Sequence, residues 1–461
     1  MSDLSQIVKA YDVRGTVPDQ WDERVAEALG AALTQLLNAT DEPGDAVVVA
    51  YDMRPTSPAL AAAFAAGVRA EGRSVIEIGL ASTDMLYFAS GSLDLPGAMF
   101  TASHNPAQYN GIKMCRAGAR PIGQDSGLVE IRDRAQALLD KGESRPAGRR
   151  TEPAEQRDML ADYASYLRKL VDLSDIRPLR VVVDAGNGMA GHTVPTVLGD
   201  AALSPLPLEI VPLYFELDGT FPNHEANPLA PANLVDLQRA VVEHGAEIGL
   251  AFDGDADRCF VVDERGEPVS PSAITALVAA RELAKHPGST VIHGIITSHA
   301  VPEIIREHGG EPVVARVGHS FIKAEMARTN AIFGGEHSAH YYFRDFWFAD
   351  TGMLAAMHTL AALGEQSQPL SVLAAEYERY VASGEINSTV ADQRGAMLDV
   401  RAAYPDAVAD ELDGLTLSFP DGAWFNLRAS NTEPLLRLNV EAPTRARMIS
   451  LRDEVLDRVR R

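Results

Sequence analysis

Three aspartates stand at alternate positions in Asp253-Gly254-Asp255-Ala256-Asp257, and Arg258 follows at once. Carboxylates this close repel one another unless something positive sits among them. The glycine and alanine between them let the backbone curl so that all three face one point. A hard divalent cation with oxygen ligands, Mg2+ foremost, accounts for such a set. The alternative is a solvated acidic turn. It fits poorly, because the apolar run Ile248-Gly249-Leu250-Ala251-Phe252 precedes the loop and Cys259-Phe260-Val261-Val262 follows it. An EF-hand is excluded, since the loop lacks the glycine and distal glutamate at the required spacing.

Four further stretches bear reactive groups. Thr101-Ala102-Ser103-His104-Asn105-Pro106 follows the expected strand Gly97-Ala98-Met99-Phe100 and offers one hydroxyl nucleophile, Ser103. A strand running into such a loop places side chains at the carboxyl edge of a sheet, where α/β proteins keep their sites. His104 beside it invites a hydrolase pairing, yet neighbouring side chains on an extended loop diverge. Gly335-Glu336-His337-Ser338-Ala339-His340 joins a carboxylate, a hydroxyl and imidazoles, a set that can bind sugar hydroxyls and move protons. No cysteine or aspartate nearby completes a zinc set with its histidines. Arg428-Ala429-Ser430-Asn431-Thr432-Glu433 combines a guanidinium, hydroxyls and an amide. That composition suits a phosphate dianion and equally suits a capping turn. Gly186-Asn187-Gly188-Met189-Ala190-Gly191 satisfies the dinucleotide pattern G-x-G-x-x-G, which keeps a nucleotide-dependent oxidoreductase as a rival. The ribose-binding acid would have to be Glu209, which sits among prolines, so a tight strand-to-helix turn is the preferred reading. No P-loop lysine motif and no G-x-S-x-G elbow occurs.

The elements that must hold these loops follow from periodicity. Apolar residues at Val25, Ala28, Leu29, Ala32, Leu33 and Leu36 recur at helical period over 22–37. Strands are expected at 46–51, 74–80 and up to 101, with helices between, the alternation of a mostly parallel sheet covered on both faces. A stretch over 141–153 reads as a linker. A second unit opens with an amphipathic helix near 155, then strand 179–183, helix 232–244 and strand 247–252. A third has helix 271–285, strand 290–296, helix 301–308, strand 312–317, helix 321–328 and strand 331–333. The three units look like divergent copies of one architecture, each emptying a buried strand into a polar loop. The last part differs: helix 395–404, a hairpin over 415–427, strand 435–440 and helix 444–459 make a smaller α+β domain.

Composition bounds the function. The 461 residues suffice for several domains, and 46% hydrophobic with 23% charged residues is the balance of a globular chain with ample core. A net charge of −23 argues against nucleic acid or anionic membrane as a partner, since both need Lys/Arg patches. Cys115 and Cys259 are the only cysteines, so no disulfide framework is expected. The first residues show neither a basic nor an apolar leader region, and no uncharged run reaches the ~18 residues that span a bilayer. The expectation is a cytoplasmic protein.

Taken together, the loops resemble the α-D-phosphohexomutase family, most closely its bacterial phosphomannomutase/phosphoglucomutase branch. Ala10-Tyr11-Asp12-Val13-Arg14-Gly15 looks like the family's N-terminal motif. Residues 101–106 match its phosphoserine loop, 253–258 its metal loop, 335–340 its sugar-binding loop and 428–434 its phosphate-binding loop. The order and spacing are those of the family over essentially the full chain. The fold then expected is three similar mixed-sheet α/β domains plus a C-terminal α+β domain around a central cleft, divided as 1–150, 151–266, 267–375 and 376–461.

The resemblance implies that Ser103 is phosphorylated and that Asp253, Asp255 and Asp257 hold Mg2+ together with an oxygen of that phosphate. Lys113, Arg14, His340 and Arg258 are the implied catalytic groups beside Ser103, with Lys113 and His340 moving protons. Tyr11, His104 and His319 are implied to touch substrate, Glu336 and Ser338 to take hexose hydroxyls. Arg428, Ser430, Asn431 and Thr432 would grip the phosphate that is not reacting. The implied activity interconverts mannose 6-phosphate and mannose 1-phosphate through a hexose 1,6-bisphosphate, which is also the activator, with glucose phosphates as further substrates. Phosphoglucosamine mutase and phosphoglucomutase are the alternatives within the same fold. The implied partners are thus small hexose phosphates, and the sequence says nothing of oligomeric state. His337 and Ala339 depart from the Met or Gln and the Gly that bacterial relatives often carry there. The reaction class therefore follows more directly than the sugar.

Overall fold

A computed structural model describes residues 3–40, 42–141, 153–430 and 435–460. The expected linker lies almost wholly outside the described residues. The chain forms two compact units: Met1–Val269 with Ser338–Ser371, and Ser270–His337 with Val372–Arg461.

The first unit contains two sheets with helices. In the first sheet the buried strand Ala46–Tyr51 pairs in parallel with Ser74–Leu80 and with Gly97–Phe100, Tyr51 lying opposite Phe100. Gly97–Phe100 pairs antiparallel with Tyr109–Arg116, and that strand pairs antiparallel with Val13–Thr16. The sheet is therefore mixed, as the family resemblance implies, rather than mostly parallel, as the alternation alone suggests. The reason is loop length: residues 101–108 are too few for the crossover of about a dozen residues that a parallel return needs. The chain must turn straight back, which leaves Ser103 at the sheet's carboxyl edge.

The second sheet repeats this device. Its order is Pro268–Val269, Cys259–Asp263, Ile248–Phe252, Leu179–Asp184, Leu208–Leu213. The last three run parallel, while Ile248–Phe252 and Cys259–Asp263 form an antiparallel pair closed by residues 253–258. The amphipathic helix expected near residue 155 begins at Leu160 instead. The residues before it, Glu155–Gln156, extend the first sheet beside Ser74–Leu80.

Local chemistry sets the helix ends. Asp22 caps Glu23–Ala39 by accepting from the amides of Arg24 and Val25, and Ser82 caps Thr83–Leu93 by accepting from Met85. Thr83–Leu93 stops at Asp94, which takes a left-handed conformation. The helix Gly352–Gly364 is buried nearly throughout and packs on Cys259–Asp263. Apart from His358 and Thr359 its residues are apolar or glycine all round, so it lacks the one-sided periodicity that marks a surface helix.

The second unit has parallel strands Glu311–Ala315, Thr290–Gly294 and Phe333–Gly335 among the helices Pro271–Lys285, Ala300–Glu307 and His319–Thr329. Its other part is an antiparallel sheet ordered Val381–Thr389, Leu435–Ala442, Trp424–Ala429, Leu415–Ser418, Val408–Asp410. Helices Gln393–Ala403 and Arg445–Val459 pack with it, capped by Asp392 and Thr444. This is the small α+β domain expected from sequence, hairpin included, with Leu415 opposite Leu427. Among the described residues no helix is long and apolar enough to cross a membrane.

Candidate active site

The two hairpin-like loops of the first unit meet. Ser103 is buried and takes φ +50°, a left-handed conformation that a residue with a side chain adopts only when its surroundings enforce it. Its Oγ donates to Asp253 Oδ2 at 2.8 Å and lies 3.2 Å from His104 Nδ1, so the two neighbouring side chains meet instead of diverging, because Ser103 is left-handed and not extended. The approach depends on Gly254: a Cβ there would stand 2.4 Å from the carbonyl oxygen of Ser103.

Asp253, Asp255 and Asp257 are buried, with one carboxylate oxygen of each within 4.8 Å of the others. The Lys113 ammonium donates to Asp255 Oδ2 at 2.7 Å and to Asp257 Oδ2 at 2.5 Å. Arg258, also buried, donates from Nε to Asp253 Oδ2 at 2.8 Å and from Nη2 to His104 Nδ1 at 2.5 Å. Since His104 Nδ1 accepts that bond, its proton sits on Nε2. Burial, with Arg258 and Arg14 adding to it, pushes the imidazole down to about 2, so His104 is neutral. Burial opposes the Lys113 ammonium, but Asp255 and Asp257 outweigh it and hold the group well above the ordinary lysine range. Burial raises Asp253 against the pull of Arg258.

The donor set fits a divalent cation. Oδ1 of Asp255 and Oδ1 of Asp257 are buried without a hydrogen-bond partner, an expensive condition for a carboxylate oxygen. All-oxygen ligation is what Mg2+ prefers. Three carboxylates against the two cations Lys113 and Arg258 leave the cluster one charge negative. A phosphate dianion on Ser103 would be repelled from it unless a divalent cation were bound.

Other expected site residues join this cluster. Arg14 donates from Nη1 to Asn105 Oδ1 at 2.6 Å, and Tyr11 lies partly exposed in the bend just before it. His340 pairs through its backbone with Arg258, its Nε2 is 3.8 Å from Asp257 Oδ1, and its Nδ1 is 3.0 Å from Ser338 Oγ. The remaining candidates belong to the second unit, where they form a chain of contacts of their own. Glu336 Oε1 accepts from the amide of Gly318, the residue before His319 at the start of helix His319–Thr329. Asp413 accepts from the amide of Val317 and lies 3.8 Å from the Arg428 guanidinium, which is also 3.6 Å from Glu385. Ser430 donates its amide to Leu435 O. Asn431 and Thr432 lie outside the described residues.

The G-x-G-x-x-G loop is occupied by protein. A Cβ on Gly188 would stand 2.7 Å from Gly254 O, and the same oxygen accepts from the Met189 amide at 2.9 Å. Glu209 pairs with Arg180 on the surface, at 3.0 Å. The glycines thus serve a strand-to-helix turn that supports the aspartate loop.

Two residues of the site went unnoticed in the sequence. Thr83 donates from Oγ1 to Asp255 Oδ2 at 2.6 Å and from its amide to Asp255 O at 3.0 Å. Nothing local distinguishes it from an ordinary first residue of a helix. Arg54 is fully buried beneath the Ser103 loop. Its signal was a charged cluster, Asp52-Met53-Arg54, directly after a wholly apolar strand.

Residues 5–139 match the family described as phosphoglucomutase/phosphomannomutase, alpha/beta/alpha domain I. Residues 161–266 match its domain II, 270–380 its domain III and 385–458 its C-terminal domain. The chain is 42% identical over 458 residues, 98% of each sequence, to a Xanthomonas campestris pv. campestris protein named phosphohexose mutases. It is 39% identical over 453 residues, 97% of each, to an Escherichia coli phosphomannomutase. The crystal structure of a phosphoglucomutase/phosphomannomutase family protein from Burkholderia thailandensis superposes with a TM-score of 0.86 at 33% identity, covering 98% of this chain and 96% of that one.

Proposed function

The chain belongs to the phosphoglucomutase/phosphomannomutase family, and from that premise we infer that it is a phosphomannomutase, an intramolecular phosphotransferase of the isomerase class. It interconverts mannose 6-phosphate and mannose 1-phosphate. Glucose phosphates are further substrates, a breadth favoured by the Xanthomonas relative's name. The observation that carries the reading is the Ser103 hydroxyl, held 2.8 Å from Asp253 inside a cluster of carboxylates and cations.

One pocket cannot reach C1 and C6 of the same sugar at once, so a direct shift of the phosphoryl group is impossible. A carrier on the enzyme removes the difficulty. Phosphorylated Ser103 gives its phosphoryl group to the free hydroxyl of the monophosphate, and a hexose 1,6-bisphosphate forms. The bisphosphate turns end for end, and its other phosphoryl group returns to Ser103. Bisphosphate added from outside re-phosphorylates idle enzyme and so acts as activator.

Asp253, Asp255 and Asp257 would hold Mg2+, with an oxygen of the Ser103 phosphate as the fourth anchor. Bound there, the ion supplies neutralisation and Lewis-acid polarisation of a phosphoryl oxygen. The chain's own groups do the rest. Arg258 and Arg14 offset charge around the transferring group, and neutral His104 accepts from Arg258 and keeps its guanidinium aimed at Ser103. Lys113 and His340 move protons to and from the sugar hydroxyl. Glu336 and Ser338 bind hexose hydroxyls, Tyr11 and His319 line the sugar, and Arg428, Ser430, Asn431 and Thr432 hold the distal phosphate. The four domains divide near residues 150, 266 and 375. Both cysteines are buried and neither is in a disulfide, which agrees with a cytoplasmic enzyme.

Intact-mass measurement of purified protein tests the reading. A species about one phosphate heavier, absent in Ser103→Ala, is expected; full mutase activity in Ser103→Ala would exclude a phosphoserine carrier. Side-by-side kcat/KM on mannose, glucose and glucosamine phosphates decides the sugar.

A further inference from the structure

Arg54 is 1% exposed and spends both terminal nitrogens of its guanidinium on the loop that carries Ser103. Nη2 donates to the carbonyl oxygens of Ser103, at 3.0 Å, and Asn105, at 2.7 Å. Nη1 donates to those of Pro106 and Tyr109, both at 2.9 Å. Nε donates to Asp52 Oδ2 at 3.2 Å, which completes the five N–H groups of a guanidinium. We propose that Arg54 is a positioning residue for phosphoryl transfer: it holds the Ser103 loop in the one conformation that aims Oγ at the aspartate cluster. The proposal rests on the reading of Ser103 as phosphoryl carrier.

A left-handed serine persists only if its surroundings over-determine it. Within the loop, Ala102 O and Pro106 O accept from the amides of Asn105 and Tyr109, but the carbonyls of Ser103 and Asn105 take their donor from Arg54, and buried carbonyls require donors. Gripping the Ser103 carbonyl fixes the peptide plane that follows Ser103, hence its ψ, hence the direction of its side chain. Gripping the carbonyls of residues 105, 106 and 109 fixes the rest of the turn. Arg54 itself touches no reacting atom.

The anchor of the anchor is equally built. A buried guanidinium is tolerable only when paired. Its partner Asp52 is fully buried and accepts from Ser57 Oγ at 2.6 Å and from the Arg54 amide at 3.0 Å. Asn110, at the far end of the loop, donates to the hydroxyls of Thr56 and Ser57 at 2.8 and 2.9 Å. The loop of the second sheet closes the other side: the Phe221 ring lies 5.1 Å from the guanidinium carbon, and a Cβ on Gly219 would stand 2.5 Å from Arg54 Cα. Lysine could not substitute, because three donors on one nitrogen cannot span carbonyls spread over residues 103–109.

The test uses full-length Arg54→Lys and Arg54→Ala with Mg2+ present, compared with wild type. Measured are kcat and KM for mannose 1-phosphate, melting temperature, and the rate at which dephosphorylated protein gains mass from glucose 1,6-bisphosphate. Both folded variants are expected to lose about 100-fold in kcat and in the rate of phosphate uptake, with KM within about threefold of wild type, since the groups assigned to the sugar and distal phosphate are elsewhere. Millimolar guanidinium, far below denaturing concentrations, is expected to restore part of the rate of Arg54→Ala and none of the rate of Ser103→Ala. A merely structural residue would show neither the split between kcat and KM nor the rescue. Near-wild-type kcat in either variant, or a raised KM with kcat intact, overturns the proposal. So does failure of both variants to fold, which would make Arg54 a determinant of the fold instead. If wild type itself takes up no phosphate on Ser103, the carrier reading fails first and this proposal falls with it.

Discussion

Gly254→Ala tests whether the spacing of the two loops sets the rate. The added methyl group would lie 2.4 Å from the Ser103 carbonyl oxygen, whereas ordinary contact begins at 3.4 Å, so about 1 Å of retreat is forced. Gly254 is not among the glycines with positive φ, and the substitution therefore acts through space alone. Neither side yields freely. The Ser103 carbonyl is tied to Arg54 at 3.0 Å, and Gly254 O accepts from Met189 at 2.9 Å. The retreat is expected to widen the 2.8 Å gap between Ser103 Oγ and Asp253 Oδ2. Misplacement of reacting groups by about 1 Å costs on the order of 100-fold in rate, and overpacking costs about 1–3 kcal/mol in stability. Steady-state kinetics on mannose 1-phosphate with added glucose 1,6-bisphosphate, beside a urea unfolding curve, measures both. A folded Gly254→Ala enzyme within about fivefold of wild-type kcat would refute the argument that this contact fixes the transfer geometry.

Thr83→Val keeps the shape and the amide bond to Asp255 but removes the hydroxyl at 2.6 Å, and it is expected to weaken Mg2+ binding about 10- to 100-fold by calorimetric titration. An unchanged affinity would make the hydroxyl incidental. Asp84 accepts from Ser82, Tyr163 and Thr351, and burial pushes its carboxyl up to about 6. The folded chain then keeps this proton to higher pH than the unfolded chain does. Stability from this group is greatest below about pH 4, falls by about 3 kcal/mol as pH rises to about 6, and is flat above. Denaturant titrations across that window should show the extra fall in wild type and not in Asp84→Asn; parallel curves would contradict it.

The chemistry-bearing loops were legible because their residue types are costly without a function. Three aspartates ahead of Arg258 between apolar strands, or Ser103 at a strand end, have few purely structural explanations. Helix Gly352–Gly364 escaped notice for the opposite reason, since a helix buried on every side has no period to read. The mixed character of the first sheet came with the family resemblance, whereas the alternation of strands and helices around residue 100 by itself points to a mostly parallel one.

Sequence by itself determined the groups available: the serine, the carboxylates, the cations and the small residues between them, together with the strands that carry them to sheet edges. These are local properties, set by residue type and by spacing along the chain. Only the tertiary structure decided that Ser103 and Asp253, 150 positions apart, stand 2.8 Å from each other. It also decided that a glycine, rather than either loop's polar residues, makes that approach possible, that the G-x-G-x-x-G turn supports the aspartate loop, and that Arg54 and Thr83 belong to the site. Contacts of that kind depend on how two sheets pack, and packing is a property of distant segments together that no single stretch of sequence displays.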